Sequence, residues 1–548
     1  TKRHNGSANE IALAGFPHHS INTYLPKLVR AGYRVAICDQ LEDPKQTKSI
    51  VKRGVTELVT PGVSYNDEVL SQKSNNFLAA VHFASGKQSN GLIGVSFLDI
   101  STGEFLLAEG NSEHIDKLLQ SFQPSEVLFQ KQYKKEFEAQ FGTSFFTYLL
   151  DDWVFTKEFG EDILLKHFET KSLKGFGVES LHAGIVAAGA ALHYLADTRH
   201  DKLKHINKIA RIDANNYVWL DRFTIRNLEL MYSSNEGATT LLDVMDETIS
   251  PMGARMMRRW IALPLKEINP IQERLSAVEY LLNENETARI LRQHISQIGD
   301  LERLISKVST GRINPRELKQ LSLAMASLRL IKECAKTSKN NTLKRIAEQM
   351  NLCESLVDKI QQQLHEEPPV LIQKGNVITA GVSDELDELR KLQTGGKQML
   401  LEMQQRETEA TGISSLKIAF NNVFGYYIEV RNTHKDKVPE GWIRKQTLVS
   451  AERYITEELK QYETKILGAE EKIGILEANL YQALVQETTE YILPIQLNAN
   501  LIAQLDCFLS FATLADARNY VKPEINESLA IEIQSGRHPV IEQQLNAG

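Results

Sequence analysis

The chain has 548 residues, 42% of them hydrophobic and 24% charged, with a formal net charge of −7. This length predicts about three to five domains, and the composition is that of an ordinary folded, soluble protein. Its four cysteines (Cys38, Cys334, Cys353, Cys507) show no CxxC or metal-type spacing, so we expect a reducing compartment and no disulfide framework. The most apolar run, 184–196, is too short to cross a bilayer and predicts a buried helix.

Residues 1–60 alternate helical and strand patterns. YLPKLVRAGY predicts a short amphipathic helix, and YRVAICDQL predicts a buried strand. Nine basic and five acidic side chains make this stretch positive on an otherwise acidic chain. We therefore expect a small α/β domain whose surface suits a polyanion.

After a Thr-Pro-Gly turn, three apolar runs (FLAAVHF, GLIGVSFLDI and EFLLAEG) predict paired strands within residues 75–110. Helical patterns at 114–122 and 178–197 complete a second α/β domain. Asp99 and Glu104 flank the turn between two of these strands. Paired carboxylates can hold the Mg²⁺ of a nuclease, whereas acids beside a hairpin turn are usually only turn chemistry.

Residues 201–383 are almost entirely helical in pattern, with a break at 311–318. In the amphipathic run GARMMRRWIAL, at 253–263, the methionines are predicted to fill the core and the arginines to be solvated or salt-bridged. Such runs are typical of helices that pack against one another.

A helical seam at 459–484 and a weaker one at 386–403 surround a stretch rich in β-branched and aromatic residues, SLKIAFNNVFGYYIEVRN, at 415–432. A small β module thus interrupts a helical hairpin. Between Lys417 and Arg453 there are seven basic and four acidic residues, so the tip is basic. Such a tip fits the phosphates of a nucleic acid, and the rival interpretation is a coiled-coil scaffold or chromosome-organising arm that binds proteins.

The last part of the chain predicts a helix over 500–519 and then, from LAIEIQSGRHPVIEQQ at 529–544, a strand, a turn and a second strand. The sequence contains no GxxxxGK[ST], HExxH or GxSxG motif, and Gly395-Gly396-Lys397 lies within a helical seam. No catalytic residue and no metal ligand is therefore predicted.

The order of several long motifs resembles the MutS family of bacterial DNA mismatch-repair proteins along the whole chain. These motifs are AGFPHHSINTYLPKLVRAGYRVAICDQLEDP, LDISTGEF, LDRFTIRNLEL, SPMGARMMRRWIALPL, FNNVFGYYIEV and RKQTLVSAERYITEELKQYE. The resemblance implies a multidomain fold, α/β and mainly α, in which long coiled helices carry a small β clamp. The implied domains are the C-terminal part of a mismatch-recognition domain (1–60), an RNase H-like connector (61–200), the first part of a helical lever (201–383), a clamp (384–442), the second part of the lever (443–500) and the start of an ATPase domain (501–548).

The implied function is DNA mismatch repair, in which an ATP-dependent sliding clamp of the MutS type binds double-stranded DNA that contains mismatches or small loops. The family also implies a homodimer, a MutL-type partner, a cytoplasmic, nucleoid-associated location in bacteria, and ATP with Mg²⁺ in the full-length protein. The family's Phe-x-Glu wedge and Walker motifs do not match residues of this chain. We therefore expect a DNA-binding fragment without a cofactor of its own and without ATP hydrolysis.

The resemblance also implies phosphate-contacting residues in two places. In the first domain Arg3, Lys48 and Arg53 match basic positions, and His19 lies in the AGxPxH motif. In the clamp, the matching positions are Lys417, Asn421 and Asn422, with Arg444 and Lys445 on a following strand as weaker candidates.

Overall fold

A computed structural model describes residues 14–42, 51–84, 91–218, 220–233, 235, 237–421 and 425–545, and the backbone of residues 2, 3, 11 and 12. The chain forms two compact units. Unit one comprises Thr1–Arg312, Leu323–Cys353 and Thr489–Gly548, and unit two comprises Ile313–Ser322 and Glu354–Thr488.

Unit one begins with a small α/β module. Its elements are strands β1 (Lys2–Arg3) and β2 (Ile11–Ala12), helix α1 (Ile21–Arg30), and strands β3 (Val35–Gln40) and β4 (Arg53–Val59). The antiparallel pair β3–β4 and helix α1 bury a small cluster that includes Leu25, Val29 and Val59. The helix and the strand predicted from the sequence for this stretch are present, but the prediction that the strand is buried is wrong, because half-buried and exposed residues alternate along β3.

A six-stranded sheet follows, in the order β10-β7-β6-β5-β8-β9. Its elements are β5 (Leu78–Phe83), β6 (Ile93–Asp99), β7 (Glu104–Gly110), α2 (Ser112–Phe122), β8 (Glu126–Gln130), α3 (Lys134–Phe141), β9 (Thr147–Leu150), α4 (Lys157–His167), α5 (His182–Asp197) and β10 (Ala210–Arg211). Strands β5, β6 and β7 are antiparallel, whereas β8 is parallel to β5 and to β9. Strand β10 pairs with β7, so the sheet reaches past residue 200, the domain boundary predicted from the sequence.

Helices cover both sides of this sheet, which explains why its central strands are apolar on both faces. One side packs on α2 and α3, and the other packs on α4 and α5. Glycine at position 94 lets the start of α5 approach β6, because a Cβ there would lie 2.0 Å from the carbonyl oxygen of Ala183. Glycine at position 189 has a similar role, since its Cβ would lie 2.4 Å from Cα of Gly160.

The region after the sheet is helical, as predicted. It contains α6 (Arg222–Asn227), α7 (Leu241–Met245), α8 (Pro251–Ala262), α9 (Ile268–Asn283), α10 (Asn285–Ile295), α11 (Leu301–Thr310), α12 (Pro315–Thr337), α13 (Asn341–Gln349) and α14 (Glu354–Gln363). The methionines of α8 are core residues, with Met252, Met256 and Met257 between 0% and 5% exposed.

Unit two is built on two long helices, α15 (Asp384–Thr411) and α16 (Glu457–Thr488). Between them in sequence lie β11 (Lys417–Asn421), β12 (Gly425–Arg431), β13 (Ile443–Thr447) and β14 (Ala451–Ile455). These strands form one antiparallel sheet in the order β11-β12-β14-β13. The predicted interruption of a helical hairpin by a β module is confirmed, but the sheet extends beyond residue 442, the predicted end of the module. The sequence did not predict the edge strand β13 because this strand is exposed and lacks an apolar pattern.

The chain ends with α17 (Ile492–Arg518) and α18 (Pro539–Leu545). The strand-turn-strand predicted for 529–544 is wrong: the structure has no strand there, and the second half is helix α18. Leu529, Ile531 and Ile533 alternate as in a strand, but they are 102%, 88% and 74% exposed. An alternating pattern forms a stable strand only where a sheet offers a partner, and no described strand lies beside these residues.

Among the described residues, one helical run, Glu457–Arg518, is long and apolar enough by length and composition to cross a membrane. Within its most apolar window, 67% is buried inside the protein, as in a core helix of a soluble protein. The four cysteines are free thiols in the structure, and those at 353 and 507 are buried.

A buried charge cluster joins α8, α11 and the loop before β5. The Arg255 guanidinium donates to Asp300 at 2.7 Å and to Glu302 at 2.7 Å, and it also donates to the carbonyl oxygen of Gln72 at 2.9 Å. Burial raises the pKa of Glu302. Burial also acts to raise the pKa of Asp300, but Arg255 and Arg303 outweigh it and lower that pKa.

We expect Asp300→Ala to lower the free energy of unfolding of unit one by about 3 kcal/mol or more, because it leaves the buried Arg255 with less compensation and removes the cap of α11. The measurement is the urea midpoint followed by circular dichroism. Glu286→Ala, which breaks the exposed pair with Arg289, is the matched control and should leave the midpoint unchanged. Equal midpoints for both variants would contradict the structural role of the cluster.

A second prediction concerns pH. His82 on β5 is 8% exposed, its Nδ1 atom has no hydrogen-bond partner among the described residues, and burial lowers its pKa from 6.5 to about 4. Burial disfavours the protonated imidazole in the folded state, so neutral His82 contributes stability above pH 6.5. As the pH falls toward 4, this contribution to the free energy of unfolding is lost, about 3 kcal/mol in total. His82→Leu should therefore flatten the fall in urea midpoint over this range, whereas the exposed His18→Asn should follow the wild type. A slope unchanged in His82→Leu would refute the assignment.

Candidate nucleic-acid interface

The two sides of the four-stranded sheet in unit two differ because side chains alternate along each strand. On β12, Tyr426, Ile428 and Val430 pack into a core with Leu400 of α15 and Ile466 of α16. The intervening residues point away from the helices. We call that side the outer face, and the register defines it as Lys417, Ala419, Asn421, Tyr427, Glu429, Arg431, Gln446, Ala451 and Arg453.

Four residues form a row across the outer face, one on each strand: Lys417, Glu429, Arg453 and Gln446. Arg453 donates from Nε to Oε2 of Glu429 at 3.1 Å and from a terminal nitrogen to Oε1 of Gln446 at 2.9 Å. Its guanidinium also lies 4.2 Å from the ring centroid of Tyr427. Arg453 is therefore held against the sheet, and it covers Tyr427, which is only 6% exposed.

The residues predicted on this sheet occupy different environments. Lys417 is exposed at the start of β11 and has no hydrogen-bond or ion-pair partner among the residues the structure describes. Asn421 is half-buried at the far end of the same strand, and Asn422 lies outside the described residues.

On the edge strand β13, Arg444 forms an ion pair with Glu452 at 3.3 Å. The Tyr454 hydroxyl and Arg444 together lower the pKa of Glu452. Lys445 is exposed and falls at a register shift, where β13 carries one residue more than its partner. Such bulges redirect a side chain, so Lys445 is a better candidate for an external anion than Arg444.

Three further basic residues of this region are exposed, although their sequence pattern did not mark them as site candidates. Arg431 is exposed at the end of β12, on the outer face. Lys435 and Lys437 are exposed in the short 3₁₀ segment Asn432–Lys437. Arg431 could have been identified from its position two residues after Glu429 and four after Tyr427, because residues at this spacing lie on one side of a strand.

In unit one the predicted residues lie on separate elements. His19 is exposed in the 3₁₀ turn His18–Ser20 before α1, and Arg53 is exposed at the start of β4, opposite Gln40. Lys48 and the side chain of Arg3 lie outside the described residues.

Two other basic residues of the first module have structural partners. Arg30 donates to the carbonyl oxygen of Glu68 at 2.6 Å. The Arg34 guanidinium lies 4.0 Å from the ring centroid of Tyr148 in the six-stranded sheet. Part of the positive charge counted in residues 1–60 thus also contacts residues outside this module, although both side chains remain exposed.

Asp99 and Glu104 are occupied by internal partners. One oxygen of Asp99 accepts from the backbone and hydroxyl of Ser101, and the other accepts from Asn75 and from the backbone of Asn76. Glu104 pairs with Arg259 of α8 and also accepts from Asn75. Among the described residues there is no group of three acidic, histidine or cysteine side chains placed to hold a metal ion. The geometry is that of a stabilised turn.

The fold is that of a multidomain α/β protein in which long helices carry a small sheet with a basic surface. Three family models match successive parts of it: MutS domain I at residues 1–68, MutS domain II at 76–207 and MutS domain III at 223–512. The third match alone covers more than half of the sequence. The chain belongs to the MutS family, which confirms the resemblance found in its motifs.

Curated proteins that are similar in sequence support the same family assignment. The chain is 59% identical over its 548 residues to a protein of Parabacteroides distasonis, 60% identical to one of Flavobacterium psychrophilum and 58% identical to one of Bacteroides thetaiotaomicron. Each of these relatives is named DNA mismatch repair protein MutS. The chain spans 62% of the length of the first and 63% of the other two.

We expect Asp99→Asn to destabilise the six-stranded sheet by about 1–3 kcal/mol, because an amide nitrogen cannot accept the hydrogen bonds that the buried carboxylate accepts. The measurement is the urea midpoint, with the exposed Asp162→Asn as the control. In the same preparations, labelled duplex DNA with Mg²⁺ should stay intact for wild type and variant alike. Cleavage by the wild type that Asp99→Asn abolishes would instead favour the nuclease interpretation.

Proposed function

We propose that this chain binds the sugar-phosphate backbone of double-stranded DNA as part of a MutS-type mismatch-repair protein. The observation that carries the proposal is membership of the MutS family together with the free cations of the sheet in unit two. Lys417, Arg431 and Lys445 are exposed there and have no anionic partner among the described residues. Lysine and arginine side chains of this kind bind phosphate and release counterions.

The parent activity in this proposal is recognition of mismatches or small loops by a dimer that uses ATP and Mg²⁺ and recruits a MutL-type partner in the bacterial cytoplasm, near the nucleoid. The bacterial relatives named DNA mismatch repair protein MutS support it. Within the chain, we assign phosphate contacts to Lys417, Asn421, Asn422 and Lys445 in unit two and to Arg3, His19, Lys48 and Arg53 in unit one. Arg444 is assigned a secondary role, since Glu452 already neutralises it.

The finer fold assignment also belongs to this proposal. The order β7-β6-β5-β8-β9, with three antiparallel strands followed by two parallel ones, supports an RNase H-like connector. The sheet carried by α15 and α16 supports a clamp, and the helices before and after it support a lever. In this assignment the clamp extends to Ile455, the end of β14.

We expect duplex binding by the chain to weaken steeply with salt and to be nearly equal for matched and G·T-containing oligonucleotides, because phosphate contacts carry no sequence information. Lys417→Ala should make the slope of log K against log salt shallower by about 0.9 and lower affinity about eight-fold at 0.1 M salt, equally for both duplexes. Fluorescence anisotropy over a salt series measures both quantities.

The matched control is Lys171→Ala, which removes an exposed lysine from unit one. It should leave the slope unchanged. Absence of duplex binding at low salt would favour the scaffold interpretation, and equal effects of the two substitutions would show that only the total charge of the chain matters.

A further inference from the structure

The outer face contains an acidic residue at its centre, which is unexpected on a surface that binds phosphate. Glu429 lies on β12, directly opposite Lys417 on β11 and Arg453 on β14. Neighbouring strands lie about 4.8 Å apart, so this carboxylate stands between two cations in one row. Its side chain is 35% exposed, and it therefore also faces whatever binds there.

Glu429 has a defined partner. Its Oε2 accepts from Nε of Arg453, whose guanidinium is further fixed by Gln446 and lies over the ring of Tyr427. The Arg453 side chain is 18% exposed, so it still reaches the surface of the sheet. An arginine held flat by three neighbours is well ordered for a phosphate contact, but its charge is already compensated by the carboxylate.

We infer that Glu429 limits how tightly the sheet holds DNA: it neutralises Arg453 and leaves Lys417 as the uncompensated cation of the row. This inference rests on the proposed binding of duplex DNA by the outer face. A protein that must move along DNA benefits from few phosphate contacts, because each additional one steepens the salt dependence and slows release. Glu429 is in this sense a positioning residue that acts through Arg453.

Glu429→Gln is the test, because the glutamine amide oxygen can still accept the hydrogen bond from Arg453 while the negative charge is removed. We expect the slope of log K against log salt for duplex binding to become steeper by about 0.9, the value for one additional phosphate contact. If the plots of log K against log salt for the wild type and the variant meet near 1 M salt, the two affinities differ by about eight-fold at 0.1 M salt. The urea midpoint should stay within error of the wild type.

Two further variants separate this inference from simpler explanations. Glu440→Gln removes an exposed acid of the same module that lies on none of the four strands, and it should not steepen the slope. The double variant Glu429→Gln with Arg453→Gln should return the slope to the wild-type value, because the additional contact needs the arginine.

The outcomes are distinguishable. A wild-type chain that binds no duplex at 50 mM salt refutes the proposed function and the inference with it. Wild-type binding that Glu429→Gln leaves unchanged, or that Glu440→Gln strengthens equally, refutes the inference alone. A slope that stays steep in the double variant also refutes it, since Glu429 would then act without Arg453.

Discussion

One side of the sheet in unit two must be buried against α15 and α16, and this constraint determines the functional account. Ile428 and Val430 are fully buried in that contact, together with Leu459 at the start of α16. Because side chains alternate along a strand, burying these residues forces their neighbours to the opposite side. A one-residue slip of β12 would exchange the two sets, placing Glu429 in the apolar core. The same packing that stabilises the sheet therefore also exposes its charged row.

Unit one uses charge in a different way. Two arginines of helix α8 have internal partners there: Arg255 is buried against Asp300 and Glu302, and the half-buried Arg259 pairs with Glu104. Burying an ion pair gives little net stability, but removing one partner is costly, so such clusters fix how elements dock. The positive charge of these two arginines thus has a structural role, whereas Lys417, Arg431 and Lys445 on the sheet of unit two remain accessible to solvent.

Much of the fold could be predicted from the sequence because apolar periodicity is a local signal. The seams of α15 and α16, the strands around residues 75–110 and the core methionines of α8 all follow from it. The prediction failed for 529–544, where an alternating pattern has no neighbouring strand to pair with. Whether such a pattern becomes a strand is decided by a partner that is distant in sequence, and periodicity does not contain that information.

The site was less predictable, because a basic residue's availability depends on its tertiary partners. The charge count treated Arg34, Arg444 and Lys417 alike. In the structure, the Arg34 guanidinium lies over the ring of Tyr148 and Glu452 pairs with Arg444, whereas Lys417 has no such partner among the described residues. Sequence motifs identified the family and the general location of the basic surface, but only the strand register identifies which cations share a face.

The most direct test of the central claim is lysine footprinting: acetylation of the chain with and without duplex DNA at low salt, read residue by residue by mass spectrometry. If the outer face binds the phosphate backbone, DNA should protect Lys417 several-fold, and this protection should vanish at high salt. The exposed Lys171 of unit one should react equally in both conditions. Equal reactivity of Lys417 with and without bound DNA would contradict the account.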